Sequence, residues 1–189
     1  MISRIINKFI QLNNKRELNN LTNQIGKIGV NCQLSSGLKI SFPSNLSLGD
    51  NIYIGPNATL NALGKIEVQS GVIMGPNIFI HSANHNFNNS KYLPYDQFHH
   101  FKKVTICENV WIGANVCIAP GTTIGEGCII GMGAVVSGNV PPLSILVGNP
   151  SQIIKTRDPD HYFKLKKEGK IYLAAKMKGE ISPDYNTII

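Results

Sequence analysis

The chain has 189 residues, of which 42% are hydrophobic and only 15% are charged, so it is expected to form one domain with terminal additions. The net charge is +7, but the basic residues cluster near the two ends and at Lys102 and Lys103. This distribution favours solvated terminal helices over a nucleic-acid surface. No stretch has the roughly 20 apolar residues of a membrane-spanning helix, and no secretory signal is evident. Because the cysteines are interpreted as reduced, a cytoplasmic location is expected.

The first 22 residues carry apolar side chains at helical spacing, separated by basic residues. The apolar set is Ile2, Ile5, Ile6, Phe9 and Leu12. The spacing predicts an amphipathic helix over residues 1–22. We expect it to cap the first turn of the following domain or to pack on a neighbouring subunit, with a membrane surface as the less favoured alternative.

A six-residue repeat dominates the middle of the chain. From Ile106 the sequence divides into blocks that each begin with isoleucine: ICENVW, IGANVC, IAPGTT, IGEGCI and IGMGAV. A period of six fits neither a helix nor a single alternating strand, and it predicts a β-helix in which three blocks close one triangular coil. The isoleucines and the compact fifth residues should lie inside, and glycine should ease the corners. The repeat predicts about fifteen blocks over residues 23–157.

The repeat stops between residues 86 and 103, where the sequence reads NFNNSKYLPYDQFHHFKK. A long interruption in a compact repeat is usually functional or disordered, and five aromatic residues argue against disorder. We therefore predict a protruding loop over residues 86–103 that covers part of a neighbouring subunit. After the repeat, Asp158-Pro159 is a typical helix start, which predicts a helical tail over residues 158–189.

The four cysteines have no metal-ligand spacing, so they are interpreted as reduced core or wall residues. They are Cys32, Cys107, Cys117 and Cys128.

The consecutive hexads, with the segments WIGANVCIAPGTTIG, GMGAVVSGNVPP and VGNP, resemble the hexapeptide-repeat acyltransferases. The likeness is greatest to the maltose, galactoside and polysaccharide O-acetyltransferases, and it covers about residues 48–155. It implies an all-β solenoid, a left-handed parallel β-helix with helical additions at both ends. It also implies a homotrimer with sites between subunits, acetyl-CoA as the donor, a sugar or sugar-containing acceptor and a histidine as general base.

The resemblance places the base at the end of a hexad just before the protruding loop, which is His85 in this sequence. A sugar hydroxyl must lose its proton as it attacks, and a neutral imidazole can accept that proton and pass it to the leaving thiolate. His81, four residues earlier, is the alternative base. The family's acceptor pocket implies roles for Asn84, beside the base, and for Trp111, beside the thioester. Trimer packing is an equally good explanation for Trp111.

Six further positions match the family's contacts to the coenzyme. The resemblance implies that Ala114, Met132, Ser137 and Gly138 contact the pantetheine arm and that Gln152 and Lys155 lie at its phosphate end. Galactoside enzymes tend to have basic residues at the positions of Gly138 and Gln152, so Lys155 is the only charge retained here. Arg157 or a lysine of the tail is the substitute that the sequence offers.

Three alternatives to O-acetylation stay open from the sequence. An amino-sugar acceptor would give N-acetylation, a longer acyl chain would change the donor, and a non-catalytic solenoid would need neither His85 nor a coenzyme groove. The γ-class carbonic anhydrases share this solenoid, but their zinc needs three histidines and residues 104–157 contain none. We therefore expect no metal.

Overall fold

The computed structural model describes residues 16–184. Its main body is a left-handed parallel β-helix, a solenoid of about six turns whose short strands form three walls of a triangular prism. Wall A contains β1 (Lys27–Ile28), β4 (Leu46–Leu48), β7 (Ile66–Val68), β12 (Val104–Ile106), β15 (Thr123–Ile124) and β18 (Asn139–Val140). Wall B contains β2 (Gln33–Leu34), β5 (Tyr53–Ile54), β8 (Ile73–Met74), β13 (Trp111–Ile112), β16 (Ile129–Ile130) and β19 (Ser144–Val147). Wall C contains β3 (Lys39–Ser41), β6 (Thr59–Asn61), β9 (Phe79–His81), β14 (Cys117–Ile118) and β17 (Val135–Val136).

The predicted hexad phase is confirmed by burial. The first residues of the blocks stack inside the prism in register, as Ile112 does between Met74 and Ile130. The fifth residues are buried beside them: Val110, Val116, Thr122, Cys128 and Ala134. Strands of two residues are long enough for this fold, because each adds one inward side chain to a core that runs through all coils. A single coil cannot bury its own core, so the coils are stable only when they stack.

In the early part of the repeat, two extra residues shift the hexad phase at Leu46–Leu48 and again at Ile66–Val68, and each shift corresponds to a longer coil. Ser47 pairs with Glu67, twenty residues on, whereas Thr105 pairs with Thr123, eighteen residues on. The extra residues fall at the corner between walls C and A. There β4 and β7 each bury two side chains with one partly exposed residue between them.

Asparagine forms many of the corners, for which the sequence had predicted only glycine. Glycines at the second position of a block, such as Gly113, have no left-handed backbone; a Cβ there would lie 2.7 Å from the backbone nitrogen of Met132. The fourth position carries the left-handed φ, and asparagine tolerates it. Asn77 Nδ2 donates to Asn115 Oδ1 at 2.9 Å, so stacked corners also bind one another.

Both ends of the solenoid are extended. Residues 16–22 form helix α1, and Leu18 and Leu21 pack against the core. Residues 1–15 of the helix predicted over residues 1–22 lie outside the described residues. A short 3-10 helix spans Pro43–Asn45. At the other end β20 (Gln152–Thr156) runs antiparallel to β19. Helices α2 (Pro159–Lys167) and α3 (Tyr172–Met177) follow, and the Asp158 side chain caps α2.

Candidate active site

Between β1 and β19 the chain leaves the solenoid once, at the corner between walls C and A. Strands β10 (Ala83–His85) and β11 (His99–Phe101) form an antiparallel hairpin that carries the segment between them away from the prism. The excursion is closed at its base, because the backbone N–H of Lys102 donates to the carbonyl of Ser82 at 2.8 Å. The hairpin begins at Ala83, three residues before the predicted loop.

His85 lies at the far end of this hairpin, in a cluster of aromatic rings. Its imidazole stacks on the ring of Tyr95, with centroids 3.8 Å apart and planes 14° apart. His99, its partner in the hairpin register, contacts the same imidazole at 4.6 Å with a tilt of 43°. The Nδ1 atom of His85 is buried and has no hydrogen-bond partner among residues 16–184. The ring is therefore held by stacking on the hairpin's own residues.

The loop beyond His85 is ordered by a buried carboxylate. Asp96 is 5% exposed and accepts hydrogen bonds from Asn86 Nδ2 at 2.9 Å, the Phe98 N–H at 3.0 Å and the Lys91 N–H at 3.4 Å. Burial alone would raise the pKa of the Asp96 carboxyl, but these donors outweigh it and hold the pKa below its usual value. The aromatic residues predicted an ordered loop over residues 86–103. In the structure, the hydrogen bonds to the Asp96 carboxylate hold the loop together.

Asn84, predicted to lie in the acceptor pocket, and His81, the alternative base, have different surroundings. Asn84 is exposed and lies opposite His100 in the hairpin, and its Oδ1 accepts the His85 N–H at 2.9 Å. His81 is exposed on β9 in wall C, in register with Asn61, and it is absent from the ring contacts of His85. Position therefore separates the two candidate bases: His85 is in the loop cluster, and His81 is on the solenoid wall.

The predicted coenzyme contacts border wall C. Ala114 and Met132 occupy the corner between walls B and C in successive coils, and the Gly133 N–H donates to the carbonyl of Ala114 at 2.8 Å. Ser137 and Gly138 occupy the corner between walls C and A, the corner from which the hairpin leaves.

The two predicted phosphate contacts lie on β20. Gln152 pairs with Val147 at the edge nearest wall C, and Lys155 is exposed opposite Ile145 in wall B. The six predicted coenzyme residues therefore form an arc around the last coils of the solenoid.

Trp111 lies on a different side of the prism from His85. Its side chain is 55% exposed on wall B, and wall B is opposite the corner that carries the hairpin. Trp111 lines a groove of about 490 Å³ between wall B and the helices α2 and α3. Apolar and aromatic side chains that share this groove include Ile73, Val110, Ile129, Tyr162, Leu165, Ile171 and Tyr172. One chain alone does not bring Trp111 and His85 together.

The C-terminal helices are fastened to the corner between walls A and B. Lys166 Nζ forms ion pairs with Glu108 and Glu126, and the Tyr162 hydroxyl donates to Glu126 Oε1 at 2.9 Å. Burial raises the pKa of Tyr162 to about 12, and its hydrogen bond to Glu126 contributes, although Asn109 opposes the shift. Hydrogen bonds to both carboxylates raise the pKa of Lys166 above its usual value.

Arg157 belongs to the same attachment. Its Nη1 donates to the carbonyl of Gly127 at 2.9 Å, and its guanidinium lies 4.9 Å from the centre of the Tyr162 ring. The structure thus gives Arg157 a role in packing that the sequence had not indicated.

All four cysteines are free, and three of them are poorly suited to nucleophilic attack. Burial raises the pKa of Cys32, Cys107 and Cys128, which keeps those thiols protonated near neutral pH. Over residues 16–184 no cluster of three His, Cys, Asp or Glu side chains is placed to hold a metal ion. In the same range no helix is long and apolar enough to cross a membrane.

The repeat and its relatives identify the family. The model of the family described as bacterial transferase hexapeptide (six repeats) matches residues 103–138. A galactoside O-acetyltransferase of Lactococcus lactis is 32% identical over 157 residues, which cover 82% of this chain and 74% of that protein. The chain belongs to the hexapeptide-repeat acetyltransferases. Acetyl-CoA is the co-substrate of this family.

Two other comparisons place this hexapeptide-repeat acetyltransferase among its relatives. The crystal structure of a galactoside acetyltransferase in complex with coenzyme A superimposes with a TM-score of 0.69 at 26% identity, covering 78% of this chain and 73% of that one. A Saccharomyces cerevisiae relative is 33% identical over 114 residues, which cover 60% of this chain and 57% of that protein.

Proposed function

We propose that this acetyltransferase transfers an acetyl group from acetyl-CoA to a hydroxyl of a sugar or sugar-containing acceptor, with His85 as general base. The observation that carries this proposal is the position of His85, which is fixed in a ring cluster at the end of the hairpin. The hairpin leaves the corner between walls C and A, and Ser137 and Gly138 occupy the same corner two coils further on. The galactoside O-acetyltransferase of Lactococcus lactis, whose match spans most of both chains, supports oxygen as the acceptor atom and a sugar as the acceptor.

The chemistry needs one proton carrier at the hydroxyl. Because Nδ1 of His85 is buried, Nε2 is the nitrogen that takes the proton as the acceptor oxygen forms its bond to the thioester carbon. Collapse of the tetrahedral intermediate breaks the C–S bond, and the same proton passes from Nε2 to the coenzyme sulfur. The thioester is already activated, so direct attack by the hydroxyl needs no acetyl-enzyme intermediate.

The donor is proposed to lie around the last coils of the solenoid. Ala114, Met132, Ser137 and Gly138 present two corners of wall C, along which backbone groups can pair with the pantetheine amides. Gln152 and Lys155 extend this arc towards the phosphates, and Lys155 supplies its charge. Because Trp111 is on the opposite side of the prism, the thioester pocket is proposed to combine His85 of one subunit with Trp111 of another in a homotrimer.

The test is a screen with the purified full chain and acetyl-CoA. Sugars, amino sugars, nucleotide sugars and oligosaccharides are incubated separately, and products are scored by a mass increase of one acetyl group and by sensitivity to mild base, which cleaves esters but not amides. A base-labile product supports O-acetylation, whereas a base-stable product on an amino sugar changes the acceptor class to amines. Failure to bind acetyl-CoA in calorimetry would favour the non-catalytic solenoid.

A further inference from the structure

The imidazole of His85 lacks the contact that usually orients a catalytic histidine. A base of this kind normally donates its second ring N–H to a carboxylate or carbonyl, which fixes both the tautomer and the ring plane. Here Nδ1 is buried without a hydrogen-bond partner among the described residues. The ring plane must therefore be fixed by another contact.

Tyr95 supplies the closest contact to this ring. A centroid distance of 3.8 Å and an interplanar angle of 14° describe a nearly parallel stack over the imidazole face. Aromatic pairs of this kind contribute roughly 0.5–1.5 kcal/mol beyond the area that they bury. His99 contacts the same ring from 4.6 Å at 43°, which restrains the plane less than a parallel stack does.

The position of Tyr95 is itself fixed by the next residue. Asp96 is buried and accepts three hydrogen bonds, from Asn86, Lys91 and Phe98, so its backbone cannot move without breaking them. Asn86 directly follows His85, and its Oδ1 also contacts His100 Nε2 at 2.9 Å. The two ends of the stack are therefore tied to one network.

We propose that Tyr95 is the positioning residue for His85, and that it orients the base by stacking rather than by hydrogen bonding. This inference rests on the proposed role of His85. By holding the imidazole plane, Tyr95 directs Nε2 towards the acceptor hydroxyl and limits rotation about the side chain. Asp96 contributes indirectly, by holding the backbone that presents the Tyr95 ring.

The experiment compares three tyrosine variants by steady-state kinetics. Tyr95→Phe preserves the stack and should keep kcat within about threefold, because the ring and not the hydroxyl makes the contact. Tyr95→Leu removes the stack and should lower kcat by roughly 10- to 100-fold, the scale of a misplaced catalytic group, with little change in the acetyl-CoA KM. Tyr92→Leu is the matched control, since Tyr92 is an exposed tyrosine of the same loop, and it should leave kcat unchanged.

A second readout reports the ring directly. The imidazole proton resonances of His85, assigned by their loss in His85→Ala, should shift in Tyr95→Leu as the ring current of Tyr95 disappears, and should stay near their wild-type positions in Tyr92→Leu. Wild-type kcat in Tyr95→Leu, or an equal loss in Tyr95→Phe and Tyr95→Leu, overturns the positioning role. If His85→Ala itself keeps wild-type kcat, the proposed base is wrong and the positioning role fails with it. An inactive His85→Ala beside an active Tyr95→Leu overturns the positioning role alone.

Discussion

The buried hydroxyl of Ser82 donates to the backbone carbonyl of Asn61, in the preceding coil, at 2.8 Å. The same oxygen accepts the backbone N–H of Gly64 at 2.9 Å, and the carbonyl of Ser82 accepts the N–H of Lys102. One residue thus closes the corner of the solenoid and binds both ends of the hairpin that carries His85. The hairpin is anchored to the core by this hydroxyl and by the backbone.

Ser82→Ala should destabilise the protein by about 1–3 kcal/mol, because the buried N–H of Gly64 loses its acceptor. Urea unfolding measures the free-energy change. Ser70→Ala is the matched control: the Ser70 hydroxyl accepts the Asp50 N–H at 3.0 Å in an exposed setting, where water can replace it. Equal destabilisation by the two variants would contradict the anchoring role of Ser82.

His85→Ala should lower kcat by roughly 10²–10⁴-fold, the usual span for positioned proton transfer. The acetyl-CoA KM should change little, because the proposed coenzyme contacts lie on the last coils. His81→Ala is the control, since it removes the same side chain from the exposed wall. If His81→Ala is the inactive variant, the base lies four residues earlier, and if neither variant loses activity, His99 and His100 are the next candidates.

The solenoid could be predicted because its signal is periodic. Every sixth residue must fill the same interior, so Ile106, Ile112 and Ile118 repeat one packing environment and the sequence shows the repeat directly. The prediction gave the wrong reason for the glycine at the second position of each block, since it assigned that glycine to a corner of the backbone. A left-handed corner and a close approach between coils both favour glycine, and the sequence does not distinguish them at Gly113.

The hairpin cluster could be predicted only in part. His85 was found by its place before the loop. Its contacts with Tyr95 and His99 and the hydrogen bonds of Asp96 were not predicted, because residues 86–103 have no period that assigns partners. The sequence offered one indication of this network, since Asp96 is an acidic residue among aromatic ones. A charged group in an apolar segment needs hydrogen bonds if it is buried. The contact of Arg157 with Tyr162 was not predicted, because Arg157 lies between the last strand and α2, where no repeat assigns a partner.

Lys155→Ala should raise the acetyl-CoA KM by roughly tenfold, as expected for a lost charge-assisted hydrogen bond, with little change in kcat. Arg157→Ala is the informative comparison. Its guanidinium is bound to Gly127 and Tyr162, so this variant should lower the melting temperature and leave the KM nearly unchanged. The reverse pattern would assign the phosphate contact to Arg157.

Glu67→Gln should lower the free energy of unfolding at neutral pH but not at acidic pH. The hydrogen bond from Lys103 lowers the pKa of the Glu67 carboxyl despite its partial burial. A lowered pKa in the folded state gives stability that is present above the ordinary value near 4.5 and is lost as the pH falls through the folded pKa. At pH 7 the difference from wild type should be below about 1 kcal/mol, because the pair is half-exposed. A difference in urea unfolding that persists at pH 2.5, or grows with salt, would contradict the ion pair.

The positions of His85 and Trp111 predict complementation between inactive subunits. His85 leaves the corner between walls C and A, and Trp111 lies on wall B opposite, so a site that needs both must join two chains. His85→Ala and Trp111→Ala should each lose most activity alone. Co-expressed with separate tags and purified through both, the mixed assemblies should recover activity, because some sites combine intact His85 from one chain with intact Trp111 from the next. In a trimer that contains both variants, one of the three sites is complete, so the purified mixture should recover about one third of the wild-type activity.

The control for this experiment is a chain that carries both substitutions, co-expressed with His85→Ala. No site in this control mixture has an intact His85. If the activity of the first mixture comes from shared sites, the control mixture should remain inactive. Sedimentation of the wild-type chain should show three chains per particle. A monomer with full activity, or an absence of recovery in mixed particles that contain both variants, would place the complete site within one chain. Trp111 would then act in packing against α2 and α3, where its exposed face already lines the groove.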